Sequence, residues 1–189
     1  MDNIITLDKL KNYKNQSLKI GILGGSFDPC HIGHFHIAKA ALEKLGLDEV
    51  WFALSPQNPL KPPHLFSYNK RIEMLQILIE QESKFKILVI ENELKTKFTA
   101  DLFEYLTKEL SDLEFSFIIG ADLVHKIIEW EKFDRLIELT NIVIFSRSGY
   151  SMDVLNSKLY LTYSKINKVS FIEIDEIDIS STQIRKKLK

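Results

Sequence analysis

The sequence predicts an α/β protein: a single domain built on a Rossmann-like, doubly wound parallel sheet with helices on both faces. Apolar runs of strand length alternate along the chain with amphipathic segments of helix length. Several of the strand-like runs are apolar nearly throughout and rich in Ile, Val and Phe, which is typical of strands covered on both faces. The alternation favours parallel strands joined by right-handed crossovers. A length of 189 residues suits one domain with a substantial core.

Six segments have the length and composition of strands. They are residues 18–23, 49–54, 85–90, 115–119, 142–145 and 169–174. Five segments between them carry apolar residues at helical spacing. They are residues 32–45, 68–81, 100–110, 122–139 and 152–164. Ser67 and Thr99 stand where their hydroxyls can cap the second and third of these helices.

The first 17 residues are mostly polar and precede the first strand-like run. We therefore expect a loose N-terminal extension over residues 1–17 and a folded domain over residues 18–189.

Composition excludes several classes of protein. The 25 basic and 26 acidic residues give a net charge of −1, which lacks the basic footprint of a nucleic-acid binder. We find no apolar run near the ~18 residues that a membrane span needs. A single cysteine, Cys30, excludes an internal disulfide. These features, with an N-terminus that does not resemble a signal peptide, predict a cytoplasmic protein.

The first motif, residues 24–34, reads GGSFDPCHIGH and links the first strand to the first helix. Its two leading glycines allow a tight turn close to a ligand, and the amides before His31 can face an anion at the helix N-terminus. His31 and His34 are neighbours on one helical face, and Gly33 between them leaves room for a substrate. The glycine spacing does not fit the dinucleotide fingerprint, which argues against a dehydrogenase.

Two simpler interpretations of this motif stay open at this point. The first is a zinc site, but the histidine pair supplies only two of the ligands that zinc needs, so this interpretation is the weaker of the two. The other is a tight turn followed by two ordinary histidines at a helix start.

The position of Cys30, beside His31 and a helix N-terminus, is one that can lower the pKa of a thiol.

A second motif lies near the other end of the chain, where residues 179–185 read ISSTQIR. Consecutive hydroxyl residues before a helix can cap it, and such a start also binds phosphate. Arg185, about one turn into the helix, can add a bidentate donor. The alternative is a capped final helix with a solvated arginine.

Two further stretches should lie at the carboxyl edge of the sheet, where open α/β sheets bind their ligands. Residues 117–130, FIIGADLVHKIIEW, contain Asp122, which can cap a helix or accept hydrogen bonds from a ribose. Residues 55–66 hold four of the five prolines and include Lys61, which can close over a phosphate or stay solvated.

Together these motifs resemble the bacterial nicotinate mononucleotide adenylyltransferases, from residue 19 to residue 188. The resemblance implies that His31 and His34 bind the triphosphate of ATP and that Arg185 helps to hold the leaving pyrophosphate. It further implies ATP contacts from Gly24, Gly25, Ser26, Phe27, Gly33, Gly120, Asp122, Arg147, Ser180, Ser181 and Thr182. Substrate contacts are implied for Asn58, Lys61, Thr99 and Trp130, with the pyridine ring stacked on the tryptophan.

The reaction that this resemblance implies joins ATP to nicotinate mononucleotide, giving nicotinate adenine dinucleotide and pyrophosphate. Mg²⁺ is expected to accompany ATP without a dedicated protein metal site. Glu131 stands where many relatives have an aromatic residue, which leaves the selectivity for acid over amide open. The alternatives are transfer to nicotinamide mononucleotide or another phosphate, and a nucleotide-binding regulator without turnover. The sequence does not indicate an oligomeric state.

Overall fold

A seven-stranded, wholly parallel sheet forms the centre of the computed structural model, which describes residues 3–56, 63–96, 98–146, 151–175 and 179–188. The strand order is β1-β4-β3-β2-β5-β6-β7, and every neighbouring pair is parallel. This topology confirms the predicted fold class. The strands are β1 (Ile4–Ile5), β2 (Lys19–Gly25), β3 (Glu49–Leu54), β4 (Phe85–Leu88), β5 (Glu114–Gly120), β6 (Asn141–Ser146) and β7 (Val169–Glu173).

Helices connect the strands and cover both faces of the sheet. They are α1 (Leu7–Leu10), α2 (Ile32–Lys44), α3 (Tyr68–Ile79), α4 (Glu91–Leu94), α5 (Thr99–Glu109), α6 (Phe133–Leu139), α7 (Ser151–Leu155), α8 (Lys158–Tyr163) and α9 (Ser181–Lys187). Short 3-10 helices lie at Lys11–Tyr13, Ala121–Leu123, Ile127–Glu129 and Ser164–Ile166. Within the described residues, no helix combines the length and the apolar character that crossing a membrane requires.

Side chains of successive strand residues enter different cores, because they point to opposite faces of the sheet. In β3, Trp51 and Ala53 belong to one buried cluster, whereas Val50, Phe52 and Leu54 belong to the other. The central strands are therefore apolar on both faces, which is why they are apolar nearly throughout in the sequence.

The prediction of a loose N-terminal extension is wrong for the part of it that the structure describes. Ile4 and Ile5 pair in parallel with Ile87 and Leu88, which makes β1 an edge strand of the sheet. Leu10, in α1, is only 3 % exposed and joins the core on one face. The apolar residues of this mostly polar segment are enough to seat it against the domain.

The helix predicted over residues 122–139 is interrupted. Two 3-10 helices and an extended residue, Trp130, precede α6, and Lys132 takes a left-handed conformation with φ of 65°. Trp130 packs toward Phe117 of β5, with 6.3 Å between the ring centroids. This tertiary packing of the tryptophan accompanies a break that helical spacing alone did not reveal.

The two predicted helix caps have different outcomes. Ser67 caps α3 as expected, accepting a hydrogen bond from the Lys70 amide. Thr99 is instead the first residue of α5, so its predicted capping role is wrong. The hydroxyl of Thr96 accepts from the Phe98 amide and contacts the Asp101 carboxylate at 2.9 Å, which organises this helix start.

The strand order reverses between β2 and β5, which are neighbours in the sheet although they are far apart in the chain. A crevice opens beyond the carboxyl ends of two strands at such a point, and ligands of open α/β sheets bind there. β2 ends at Gly25 and β5 at Gly120. The fold thus places the first motif and the FIIGAD segment on either side of one crevice.

Candidate active site

A cavity of about 1460 Å³ lies at this edge of the sheet and is lined by both motifs. The predicted site residues that line it are Gly24, Gly25, Ser26, Phe27, His31, Gly33, His34, Thr99, Gly120, Asp122, Trp130, Ser180, Ser181, Thr182 and Arg185. The other three predicted site residues, Asn58, Lys61 and Arg147, lie outside the described residues. The structure thus brings together every predicted site residue that it describes.

The two histidines of the first motif lie at the start of α2, with their rings close together and tilted by 34° to each other. Their ring centroids are 3.8 Å apart, and the edge of Phe27 packs against His34 with 5.0 Å between centroids. The backbone N–H of His31 donates to Nδ1 of His34 at 3.2 Å. Because Nδ1 accepts this bond, the neutral ring of His34 carries its proton on Nε2. His34 is therefore oriented as a hydrogen-bond donor through Nε2.

The glycines of the first motif act through close packing. Gly24 and Gly25 are the last residues of β2, and the left-handed residue of the following turn is Phe27, with φ of 47°. A Cβ on Gly24 would lie 3.1 Å from the Phe117 ring. The expectation that both glycines serve the turn is therefore wrong, because the turn begins after them.

Gly33 is also a point of close approach. A Cβ there would lie 3.0 Å from the His31 ring and 3.3 Å from a methyl group of Ile179. A side chain at this position would separate the His31 ring from Ile179 of the C-terminal motif. Gly33 therefore allows these two groups to lie close together.

The C-terminal motif is fastened to the first motif by side-chain hydrogen bonds. Ser181 Oγ donates to the carbonyl of Pro29 at 2.8 Å, and Arg185 Nη1 donates to the carbonyl of Asp28 at 2.5 Å. Ser180 caps α9 by accepting from the Gln183 amide. The bonds of Ser181 and Arg185 join residues more than 150 positions apart in the chain. Both motifs therefore contribute polar groups to one cavity: imidazoles from the first motif, and hydroxyl and guanidinium groups from the second.

Asp28 holds the far end of the proline-rich loop. Its side chain is 5 % exposed, and its two oxygens accept from the amides of Leu65 at 2.8 Å and Phe66 at 2.9 Å. A buried carboxylate needs such partners. The loop after β3 is therefore pinned to the turn after β2.

Arg71 is a residue of this region that sequence reasoning missed. Its side chain is 1 % exposed, and it donates to the carbonyls of Ser26, Ser55 and Pro56. One sequence signal could have found it. Arg71 shares the buried face of α3 with Leu75 and Ile79, where an arginine is out of place unless it has partners.

Thr99, Trp130 and three glutamates also line the cavity. Glu91, Glu129 and Glu131 all face it, and burial raises the pKa of Glu91 to about 7. Glu91 also escaped prediction, since no motif contains it. Lys132 is nearby but is engaged by Asp101 at 2.7 Å. A flat aromatic ring could stack on Trp130.

The environment of Cys30 differs from the one expected. Burial raises the pKa of its thiol to about 11, so the expectation of a lowered pKa is wrong. The thiol packs beside the apolar cluster on one face of the sheet, where a thiolate is poorly solvated.

The zinc interpretation of the histidine pair requires further protein ligands beside it. Across the described segments of the chain, no three His, Cys, Asp or Glu side chains are grouped so that they could hold an ion.

Comparison with known proteins gives a family match and close relatives. Residues 22–187 match the cytidylyltransferase-like family model. The chain is 40 % identical to a probable nicotinate-nucleotide adenylyltransferase of Clostridium novyi, over 90 % of this chain and 87 % of that protein. It is 36 % identical to a protein of the same description from Pelagibacter ubique, over 93 % of this chain and 96 % of that one.

Solved structures are similar in fold. The nicotinic acid mononucleotide adenylyltransferase of Plasmodium falciparum, complexed with NaAD, superposes with a TM-score of 0.72 at 25 % identity. The superposition covers 91 % of this chain and 84 % of that one.

Proposed function

Since this chain belongs to the cytidylyltransferase-like family and to its nicotinate-nucleotide adenylyltransferase branch, we propose that it transfers the adenylyl group of ATP to nicotinate mononucleotide. The chain is a nucleotidyltransferase of NAD biosynthesis. The products are nicotinate adenine dinucleotide and pyrophosphate.

One observation carries this proposal: the two phosphate-binding motifs, distant in the sequence, line a single cavity and are bonded to each other. Arg185 reaches the Asp28 carbonyl, and Ser181 reaches the Pro29 carbonyl. A polyphosphate between them would meet imidazole, hydroxyl and guanidinium donors at once.

The chemistry requires no general base. The nucleophile is a 5′-phosphate oxygen, and a phosphate monoester has its second pKa near ~6, so it is already mostly ionised at neutral pH. The obstacle is the approach of two anions in line, which positioning and electrostatic stabilisation overcome. The absence of a catalytic triad from the predicted site is consistent with this mechanism.

We assign the donors as follows. His34, through its Nε2 proton, and His31 donate to the triphosphate, with His34 nearer the α-phosphate. The amides of residues 25–27 seat phosphate oxygens at the turn after β2. The leaving pyrophosphate is held by Ser181, Thr182 and Arg185. The Ser181 hydroxyl proton is used on the Pro29 carbonyl, so Ser181 contributes its backbone N–H. Arg185 retains N–H donors beyond the two that it uses within the chain.

The acceptor binds in the same cavity. Its pyridine ring stacks on Trp130, and its carboxylate is bound by backbone amides near Thr99. Contacts from Asn58 and Lys61 to the acceptor, and from Arg147 to ATP, stay predictions. The complex of the Plasmodium falciparum adenylyltransferase with NaAD supports an acceptor of this kind for the shared fold.

Mg²⁺ enters as part of the substrate MgATP. The phosphates and water supply most of its ligands, which agrees with how Mg²⁺ is usually held in phosphoryl-transfer sites. The cavity lining includes the carboxylates of Asp122 and Asp175. The cytoplasmic location predicted from the sequence also stays a prediction.

Pyrophosphate release separates the candidate functions. Purified protein with MgATP is incubated in turn with nicotinate mononucleotide, nicotinamide mononucleotide and phosphopantetheine. We expect rapid release with the acid mononucleotide and at least tenfold slower release with the other two. Faster release with the amide would reassign the acceptor, and binding of ATP without release for any acceptor would point to a regulator.

A further inference from the structure

Arg71 is a buried cation that the reaction as described does not use. It belongs to α3, a helix whose other fully buried residues, Leu75 and Ile79, are apolar. Its side chain is 1 % exposed, and burying an unpaired guanidinium in that position would be costly. Groups around the guanidinium must therefore offset the free-energy cost of burying its charge.

The compensation comes from three backbone carbonyls in two different loops and from the negative charge of the buried Asp28 carboxylate. Arg71 Nη1 donates to Ser26 O at 2.6 Å and to Ser55 O at 2.9 Å, and Nη2 donates to Pro56 O at 2.8 Å. The Tyr68 ring lies 5.3 Å from the guanidinium carbon. Ser26 follows β2, whereas Ser55 and Pro56 follow β3. One planar group therefore joins the loops that leave two adjacent strands.

The bond to Ser26 also orients the phosphate-facing turn. A carbonyl oxygen pointing at a polyphosphate would repel it, and the Ser26 carbonyl is instead held by Arg71. Two later carbonyls of the turn also accept hydrogen bonds, Asp28 O from Arg185 and Pro29 O from Ser181. Donors from two distant segments, α3 and α9, thus occupy three carbonyls of this turn.

We propose that Arg71 is a positioning residue for the reaction: its guanidinium fixes the turn after β2 relative to the loop after β3, so that the polyphosphate and the acceptor are aligned. The proposal rests on the proposed function. Misplacement of reacting groups by about 1 Å can cost about 100-fold in rate, so an anchor at this point has a large effect without touching substrate.

A purely structural role would give a different result. An arginine that only stabilised the fold would, when replaced, lower the melting temperature and leave the turnover of the folded protein unchanged. Leu75→Ala supplies that comparison, because Leu75 is fully buried one turn further along α3 and belongs to the apolar cluster on one face of the sheet. Arg135→Met is the matched control, since Arg135 is an exposed arginine held by Glu104 and Glu138.

The experiment measures kcat, both KM values and the melting temperature of Arg71→Met, Arg71→Lys, Leu75→Ala and Arg135→Met. We expect kcat to fall about 100-fold in Arg71→Met and about tenfold in Arg71→Lys, whose ammonium lacks the fixed fork of the guanidinium. Leu75→Ala should melt earlier with kcat within twofold of wild type, and Arg135→Met should change neither quantity appreciably.

Three results would overturn the proposal. One is a folded Arg71→Met variant with kcat within threefold of wild type. Another is a Leu75→Ala variant that loses as much kcat as Arg71→Met and has the same melting temperature as Arg71→Met. Should Arg71→Met fail to fold, Arg71→Lys decides, and a kcat within twofold of wild type at unchanged circular dichroism would refute the positioning role.

Binding of α,β-methylene ATP with Mg²⁺ separates this proposal from the proposed function. If wild type releases no pyrophosphate with nicotinate mononucleotide, the proposed function fails, and the dissociation constant of this analogue still tests Arg71. We expect the dissociation constant of the analogue to be at least fivefold higher for Arg71→Lys than for wild type. An unchanged constant, or no binding by wild type, would count against the positioning role.

Discussion

A backbone hydrogen bond decides which nitrogen of His34 can act on a substrate. The amide of His31 donates to Nδ1 of His34, so the proton of the neutral ring is on Nε2. The packing of Phe27 against the ring adds a second restraint. A donor that is oriented before the substrate arrives needs no reorganisation during the reaction, which is the condition for effective electrostatic stabilisation.

Replacing His34 tests this role directly. We expect His34→Ala to lose about 10²–10³ in kcat, the scale for removal of one donor to a developing charge. His125→Ala is the control, because His125 is an exposed histidine paired with Asp153. Both variants are assayed by pyrophosphate release, with circular dichroism to verify folding. A folded His34→Ala variant with near-normal kcat would refute the assignment.

Single residues also show where sequence reasoning was sufficient and where it was not. His31, His34 and Arg185 could be found because they belong to contiguous motifs with fixed spacing. For Arg71 the sequence offers only a charged residue on an apolar helix face. Its role could not be predicted, because its partners are backbone carbonyls up to 45 positions away, and carbonyls leave no mark in a sequence. The left-handed residue Phe27 is a similar case, since two glycines nearby were the more obvious candidates.

At the scale of elements, β3 was predicted with its correct limits, and the limits of β2, β5, β6 and β7 differ by at most two residues. Their apolar composition reflects burial on both faces, which is a strong signal. β1 escaped prediction because it has two residues, too few for any periodicity. The break before α6 escaped because it accompanies the packing of Trp130 toward a strand distant in sequence.

The N-terminal segment provides the test at this scale. Leu10 is 3 % exposed in the core, so Leu10→Ala should lower the free energy of unfolding by about 2–5 kcal/mol. Leu161→Ala, at a position that is 53 % exposed, should change it by less than about 0.5 kcal/mol. Urea denaturation measures both. Equal, small effects would mean that residues 3–17 do not pack as described.

At the scale of the whole molecule, a buried carboxyl group makes stability depend on pH. Burial raises the pKa of Glu91 to about 7, above its value in the unfolded chain, so the folded state favours the protonated form. The contribution of this group is therefore fully present below about pH 4.5 and is lost as the pH rises through about 7. Above that pH the fold carries a buried negative charge at the edge of its cavity.

Glu91→Gln should remove this dependence. At pH 8 we expect the variant to be more stable than wild type by about 1–3 kcal/mol, and at pH 4 we expect the two to be nearly equal. Glu93→Gln, two residues away and exposed, is the control. Denaturant titrations at pH 4, 6 and 8 measure the differences. A gain that is absent at pH 8, or that is the same at every pH, would contradict the role given to Glu91.

The bonds from Ser181 and Arg185 back to residues 28 and 29 have a consequence for synthesis. A ribosome makes the first motif, residues 24–34, long before it makes α9, which follows shortly after the last strand of the sheet, β7. The bonds between the first motif and α9 therefore form late in synthesis. A chain that ended between β7 and α9 would contain every described strand of the sheet but would lack the residues of α9 that line the cavity. Adenylyl transfer requires the last helix, α9. A premature stop just before residue 181 would therefore yield a folded but inactive polypeptide.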